Sequence, residues 1–139
     1  MSAWDDARAA KVGTIFYDEQ SEGIRLLVLR GPASVNAYLG VPEQHPLAAI
    51  DDYNGLPLNV HGGLTYARRG EGMFPTGWMW WGWDYAHSGD EPMYDSILHG
   101  HRWTPNEVLE EAWAAVDDLR VLVKMAERIA MSERRRVTA

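Results

Sequence analysis

Thr104-Pro105-Asn106-Glu107 opens the most regular stretch of the chain. Thr stands at a helix N-cap, Pro suits the first helical position, and Glu three residues past the cap can reach back to the cap N–H. Behind this box Leu109, Ala112, Trp113, Val116, Leu119, Leu122, Val123, Ala126, Ile129 and Ala130 recur at spacings of three and four, the period of one helix face. The pattern predicts a helix over residues 104–132, with an apolar stripe roughly 40 Å long at about 1.5 Å per residue. Glu107, Glu110 and Glu111 near its start and Arg128, Arg134, Arg135 and Arg136 near its end suit the helix dipole. So long an apolar stripe needs a cover, either a sheet or a second copy of the chain. Residues 133–139 read as a tail, its Arg134–Arg136 run a solvated helix end.

Upstream, the period changes from helix to strand. Val12–Tyr17 and Gly23–Gly31 read as two strands of a hairpin, joined by the polar turn DEQSEG. Val35–Val41 is a third short extended segment or one helical turn. Residues 42–57 are rich in Pro, Gly, Asp and Asn and read as loop. Leu58–Ala67 and Gly77–Ala86 read as two more strands. Residues 1–11 form a loosely held N-terminal segment, and residues 12–103 carry the sheet, its loops and any site. The expectation is a single α+β domain, a small antiparallel sheet backed by one long C-terminal helix. A length of 139 residues fits one hydrophobic core.

Composition removes several classes of function. There is no cysteine, which excludes disulfides, thiolate metal sites and thiol nucleophiles. The net charge of −7 argues against a broad face for polymeric nucleic acid. No apolar run approaches the roughly 18 residues of a membrane span. The first residues are acidic where a signal peptide needs an apolar stretch, so a reducing cytosol is the expected home. There is no P-loop, GxGxxG, HExxH or GxSxG motif.

The middle of the chain is richer. Trp78, Trp80, Trp81 and Trp83 lie within six positions, followed by Asp84 and Tyr85. Such a run is either a strand packed on both faces or a stacking wall for a flat ligand. If Leu58–Ala67 is a strand, Leu58, Val60 and Leu64 share the core side, and Asn59, His61 and Thr65 the other. Pairing with the Trp strand would bring Asn59, His61, Trp80 and Asp84 to one face. Gly62-Gly63 marks a bulge or a close approach to the backbone. Asp84, His87 and Asp90 follow at spacings of three. With His61 they are two imidazoles and two carboxylates, enough for a divalent metal; the plainer reading is structural hydrogen bonding, with Asp90 in an Asx turn. His45, His99 and His101 are spare ligands.

Three strings, RGPASVNAYLGVPEQHPL (30–47), VHGGLTYA (60–67) and WWGWDYAHSGD (80–90), resemble a group of small bacteriophage-encoded proteins of unknown function. The shared pattern is V-H-G-G-L-T followed by G-aromatic-D-x-A-H-x-G-D, over about 60 residues in the middle of the chain. That family often carries Cys where this chain has Tyr85, so no thiol role transfers. The resemblance implies an accessory phage product acting in the host bacterial cytosol, where such proteins often counter host defence.

Two functions from different classes follow. The first is a sponge that sequesters a nucleotide-derived small molecule. Tyr38, Tyr66, Trp81 and Trp83 would stack on it, Asn59, His61, Asp84, His87 and Asp90 would bond to it, and Arg30, with Arg68 and Arg69 as further candidates, would meet its phosphates. No cofactor is needed. The second is a metal-assisted phosphodiesterase, its divalent metal held among His61, Asp84, His87 and Asp90. A host-protein inhibitor is a third reading, and homo-oligomerisation is expected in each.

Overall fold

Glu22 and Gly23 both adopt positive φ, 51° and 81°, the geometry of a two-residue hairpin turn. They join β1 (Ile15–Ser21) to β2 (Ile24–Arg30). The turn is therefore tighter than the polar run DEQSEG suggests. Asp18–Ser21 stay in the strand because β1 is an edge with a solvated face, and there polar side chains cost nothing. Asp18 instead pairs with Arg25 through two hydrogen bonds of 2.8 and 2.6 Å. The structure, a computed structural model, describes residues 2–138.

β3 (Val35–Pro42), β4 (Tyr66–Arg69) and β5 (Trp78–Trp83) complete an antiparallel sheet of order β1-β2-β3-β5-β4. The segment at 35–41 is thus a strand, and a central one. Pro42 ends β3, and residues 43–57 are loop apart from two short 3₁₀ turns, Pro46–Ala49 and Tyr53–Gly55. The expected strand over 58–67 shrinks to its last residues. Gly62 and Gly63 have φ of 69° and 81°, which no strand sustains, so Leu58–Thr65 is loop.

The N-terminus corrects another expectation. Residues 3–9 are not loosely held: α1 (Ala3–Ala9) starts from a Ser2–Asp5 capping box and buries Trp4 and Ala7 in the core. Ser at the cap and Asp three residues on is the same device that starts the long helix, in a run too short for its period to stand out.

α2 runs from Pro105 to Thr138. The Thr104–Glu107 box is formed: Glu107 N–H donates to Thr104 Oγ1 at 3.3 Å and Thr104 N–H to Glu107 Oε1 at 3.0 Å. The helix continues through 133–138, where a tail was expected. Glu133–Arg136 are exposed and carry an Arg-rich run that suits a helix C-terminus.

The central strands β2, β3 and β5 are buried on both faces. Leu26, Val28, Ala37, Leu39, Trp81 and Trp83 face α1 and α2 in the main core. Leu27, Leu29, Tyr38 and Trp80 face the other way, packed with Tyr66, Phe74 and Trp78. Two glycines make room for the rings on that second face. Tyr38 pairs with Gly82 and Gly40 with Trp80 across β3 and β5. A Cβ at Gly82 would sit 2.2 Å from the Tyr38 ring, and one at Gly40 2.8 Å from the Trp80 ring.

Candidate functional site

The Trp run is the packed strand of the two readings, not a stacking wall. Trp80 and Trp81 are fully buried and Trp83 nearly so. Each indole N–H has a partner within the protein: Trp80 donates to the Pro75 carbonyl, Trp81 to the Ile50 carbonyl and Trp83 to the Tyr85 hydroxyl, at 3.0–3.1 Å. The energies agree. Burying roughly 150–250 Å² of indole at about 25 cal/mol/Å² gives roughly 4–6 kcal/mol. Stacking a base returns about 1–3 kcal/mol. An indole pulled out to meet a ligand would lose more than it gained.

Other expected ligand contacts also turn inward. Arg30 is buried, and its guanidinium donates to the carbonyls of Ala7, Arg8 and Gly31. It fastens the C-terminal end of α1 to β2 and does not meet phosphates. Burial, and then the neighbouring Arg8 charge, lower its pKa. Tyr38 and Tyr66 sit edge-to-face at 5.3 Å in the second aromatic cluster, across the sheet from α2. Arg68 lies over the Tyr66 ring and Arg69 pairs with Glu43, both on the edge strand β4.

His61, Asp84, His87 and Asp90 do come together, as two pairs. His61 Nε2 is 2.7 Å from Asp90 Oδ2. His87 Nε2 is 3.0 Å from Asp84 Oδ1, off the line of a good hydrogen bond. The two imidazoles are 5.8 Å apart. Gly62 allows this: a Cβ there would lie 2.3 Å from the His87 ring, so the glycine pair does mark a close approach. Asp84 also accepts from the Ala86 N–H in an Asx turn. Among the described residues, no group of three or more His, Asp or Glu is arranged to hold a metal ion. The spare histidines lie elsewhere: His45 caps the Pro46–Ala49 turn, His99 is exposed beside Glu91, and His101 bonds Glu107 at 2.7 Å.

Asp90 organises the neighbourhood. Its carboxylate accepts from His61, from the His87 backbone N–H at 3.0 Å and from Trp103 Nε1 at 2.8 Å. Burial pushes its pKa up, but these hydrogen bonds outweigh burial and hold it below the usual carboxylate range. His61 stacks on Tyr85 at 4.5 Å and 14°. The Tyr85 hydroxyl donates to Glu111 of α2 at 2.7 Å. The imidazole is thus clamped edge and face.

What His61 faces is a groove between the 59–61 loop and α2. Asn59, Val60, His61 and Trp83 line one side, and Glu111, Ala114, Ala115 and Asp118 the other, around a volume of about 400 Å³. Asn59, His61 and Trp83 were legible as site residues; Asp90 acts behind His61, while Asp84 and His87 lie beside the groove and not in its lining. Glu111 and Asp118 were missed. Their signal was available, because 111, 115, 118 and 122 follow helical spacing and set two carboxylates on the flank of an apolar stripe. No protein-family model, curated protein or solved structure matches the chain.

Proposed function

We propose that the chain is a bacteriophage accessory protein that binds and withholds a nucleotide-derived small molecule, gripping its sugar–base portion between the 59–61 loop and α2. One observation carries this reading. Asn59, the clamped His61, Glu111 and Asp118 line one concavity of about 400 Å³, a size that suits a small organic ligand. Sugar hydroxyls, ring N–H groups and exocyclic amines are the complement of such a lining. Hydrogen bonding here takes the part expected of aromatic stacking. Because His61 is already fixed by Asp90 and Tyr85, little side-chain entropy is lost when a ligand arrives. The phage origin and the anti-defence role in the host cytosol rest on the resemblance of residues 30–90.

Isothermal calorimetry against nucleosides, cyclic oligonucleotides and ADP-ribose-type molecules tests the proposal. One of them is expected to bind with a Kd at or below about 1 µM, near −8 kcal/mol, and to be recovered with unchanged mass. Asn59→Ala and His61→Ala should each weaken it at least about tenfold, or about 1.4 kcal/mol. Tyr66→Ala, across the sheet, should not. Absence of binding across the panel overturns the reading. Recovery of a cleaved product would transfer the site to the hydrolase alternative, which has less support because the four expected metal ligands are paired with one another.

A further inference from the structure

Glu111 and Asp118 give the proposed groove two carboxylates, and no cation lines it. A phosphate-bearing ligand would be poorly served by that lining alone. The exposed side of α2 supplies what the groove lacks. Positions 111, 114, 118, 121, 125, 128, 132 and 135 alternate by three and four, the spacing of a coiled-coil seam, and all of them are exposed. The row extends about 36 Å at about 1.5 Å per residue.

Its chemistry is complementary to itself on reversal. About a centre at position 123, Glu111 falls opposite Arg135 and Asp118 opposite Arg128. Val121 falls opposite Met125, and these two apolar side chains are 58% and 51% exposed. Ala114 falls opposite Ser132, two small side chains that take up little of the groove. A parallel pairing would set carboxylate against carboxylate and guanidinium against guanidinium. The same polarity holds along the whole helix: residues 105–119 carry five carboxylates and no cation, and residues 120–136 carry six cations and two carboxylates.

We propose that a second copy of the chain lies antiparallel along this row and brings its Arg128 and Arg135 to Asp118 and Glu111 of the first, so that each copy completes the other's groove. What the completed site binds rests on the reading of the previous section; the pairing itself is argued from α2 alone. The interface is isologous, the usual form for a symmetric dimer. A guanidinium has five N–H donors. For Arg128, two would engage the Asp118 carboxylate of the first copy, and the others can turn to phosphate oxygens. The sugar–base portion meets one chain and the phosphates meet arginines of the other.

Light scattering on the full chain without ligand should give twice the 15.7 kDa chain mass. Asp118→Arg should weaken association at least about tenfold, or about 1.4 kcal/mol, and adding Arg128→Asp in the same chain should restore it. Both positions are exposed, so circular dichroism should show an unchanged fold. The chain has no cysteine, which makes an introduced pair diagnostic. Asp118→Cys mixed with Arg128→Cys should form a disulfide that neither forms alone. Cross-linking of either variant to itself would indicate parallel helices and overturn the proposal, as would a single-chain mass at 100 µM or any other mass without the mixed cross-link. Each failure is separable from failure of the binding reading, because association is measured without ligand and the calorimetric panel stands by itself.

Discussion

Asp90 Oδ2 lies 2.7 Å from His61 Nε2, and the Asp90 side chain is only 4% exposed. One carboxylate thereby joins three segments: the 59–61 loop through His61, the 87–90 turn through the His87 N–H, and the approach to α2 through the Trp103 indole. Fold and candidate site meet at this residue, so its removal should disturb both.

Asp90→Asn keeps the shape but turns an amide N–H₂ toward donors. Hydrogen bonds to a charged group are worth about 1.5–3 kcal/mol, so a loss of about 2–3 kcal/mol in urea unfolding at neutral pH is expected. The pH dependence has a definite sign. The folded carboxyl lies below its ordinary value of 3.8, so its stabilisation is complete above that value. It is lost as pH falls below 3.8 toward the folded pKa. The stability gap between wild type and variant should close as acid takes the pH below 3.8. A gap independent of pH would count against the charge of Asp90.

Gly82→Ala tests the ring-over-glycine arrangement. The new Cβ would lie 2.2 Å from the Tyr38 ring and 3.1 Å from the Ala37 carbonyl oxygen, in a buried aromatic cluster with no slack. Overpacking of this kind costs about 1–3 kcal/mol. In a Tyr38→Ala background the same substitution should cost distinctly less, because the clashing ring is gone. Additive effects in that double-mutant cycle would show that the two residues are not coupled.

Much of this architecture was legible in the sequence. The capping box and the three-four period placed α2 because both signals are local and act over many turns. Strand alternation sets Trp81 and Trp83 on one face and Trp78 and Trp80 on the other, as found, but the expected face of Asn59, His61, Trp80 and Asp84 did not form: Trp80 lies across the sheet, and Trp83 lines the groove with Asn59 and His61. Alternation was silent on burial, since a strand covered on both faces is apolar on both. The parity argument for Asn59 and His61 failed at Gly62 and Gly63, whose positive φ ends any strand. His61 still reached the site, carried by a loop and fixed by Asp90. Arg30 misled because a cation near an expected site reads as a phosphate ligand, while two of the three carbonyls it satisfies come from α1, 22 and 23 positions away in sequence.

Tyr85→Phe addresses the groove from the helix side. It removes the donor to Glu111 and the acceptor for the buried Trp83 N–H. A loss of about 1–2 kcal/mol at neutral pH is expected, chiefly from the indole left unpaired. Burial, reinforced by the hydrogen bond to Glu111, raises the Tyr85 hydroxyl far above its ordinary value of 10.0. Its stabilisation is complete below that value and is lost as pH rises above it. Unfolding curves of wild type and variant should converge above pH 10, and a wild-type phenolate signal from Tyr85 should appear only on unfolding.

Trp81→Phe and His61→Ala together separate support of the fold from ligand contact. Trp81 is fully buried and its N–H donates to the Ile50 carbonyl at 3.0 Å, so the phenyl ring leaves a void and an unpaired carbonyl. A cost of about 2–4 kcal/mol follows from the lost hydrogen bond and the cavity. The indole lies outside the lining of the groove; the folded fraction of Trp81→Phe should therefore bind the calorimetric ligand as wild type does. His61→Ala should behave in the opposite way. Its side chain is 25% exposed, and loss of its ring stacking and its bond to Asp90 should cost about 1–2 kcal/mol of stability, while affinity should drop at least about tenfold. If Trp81→Phe lost affinity in proportion to its stability and His61→Ala lost none, the binding surface would have to be sought away from α2.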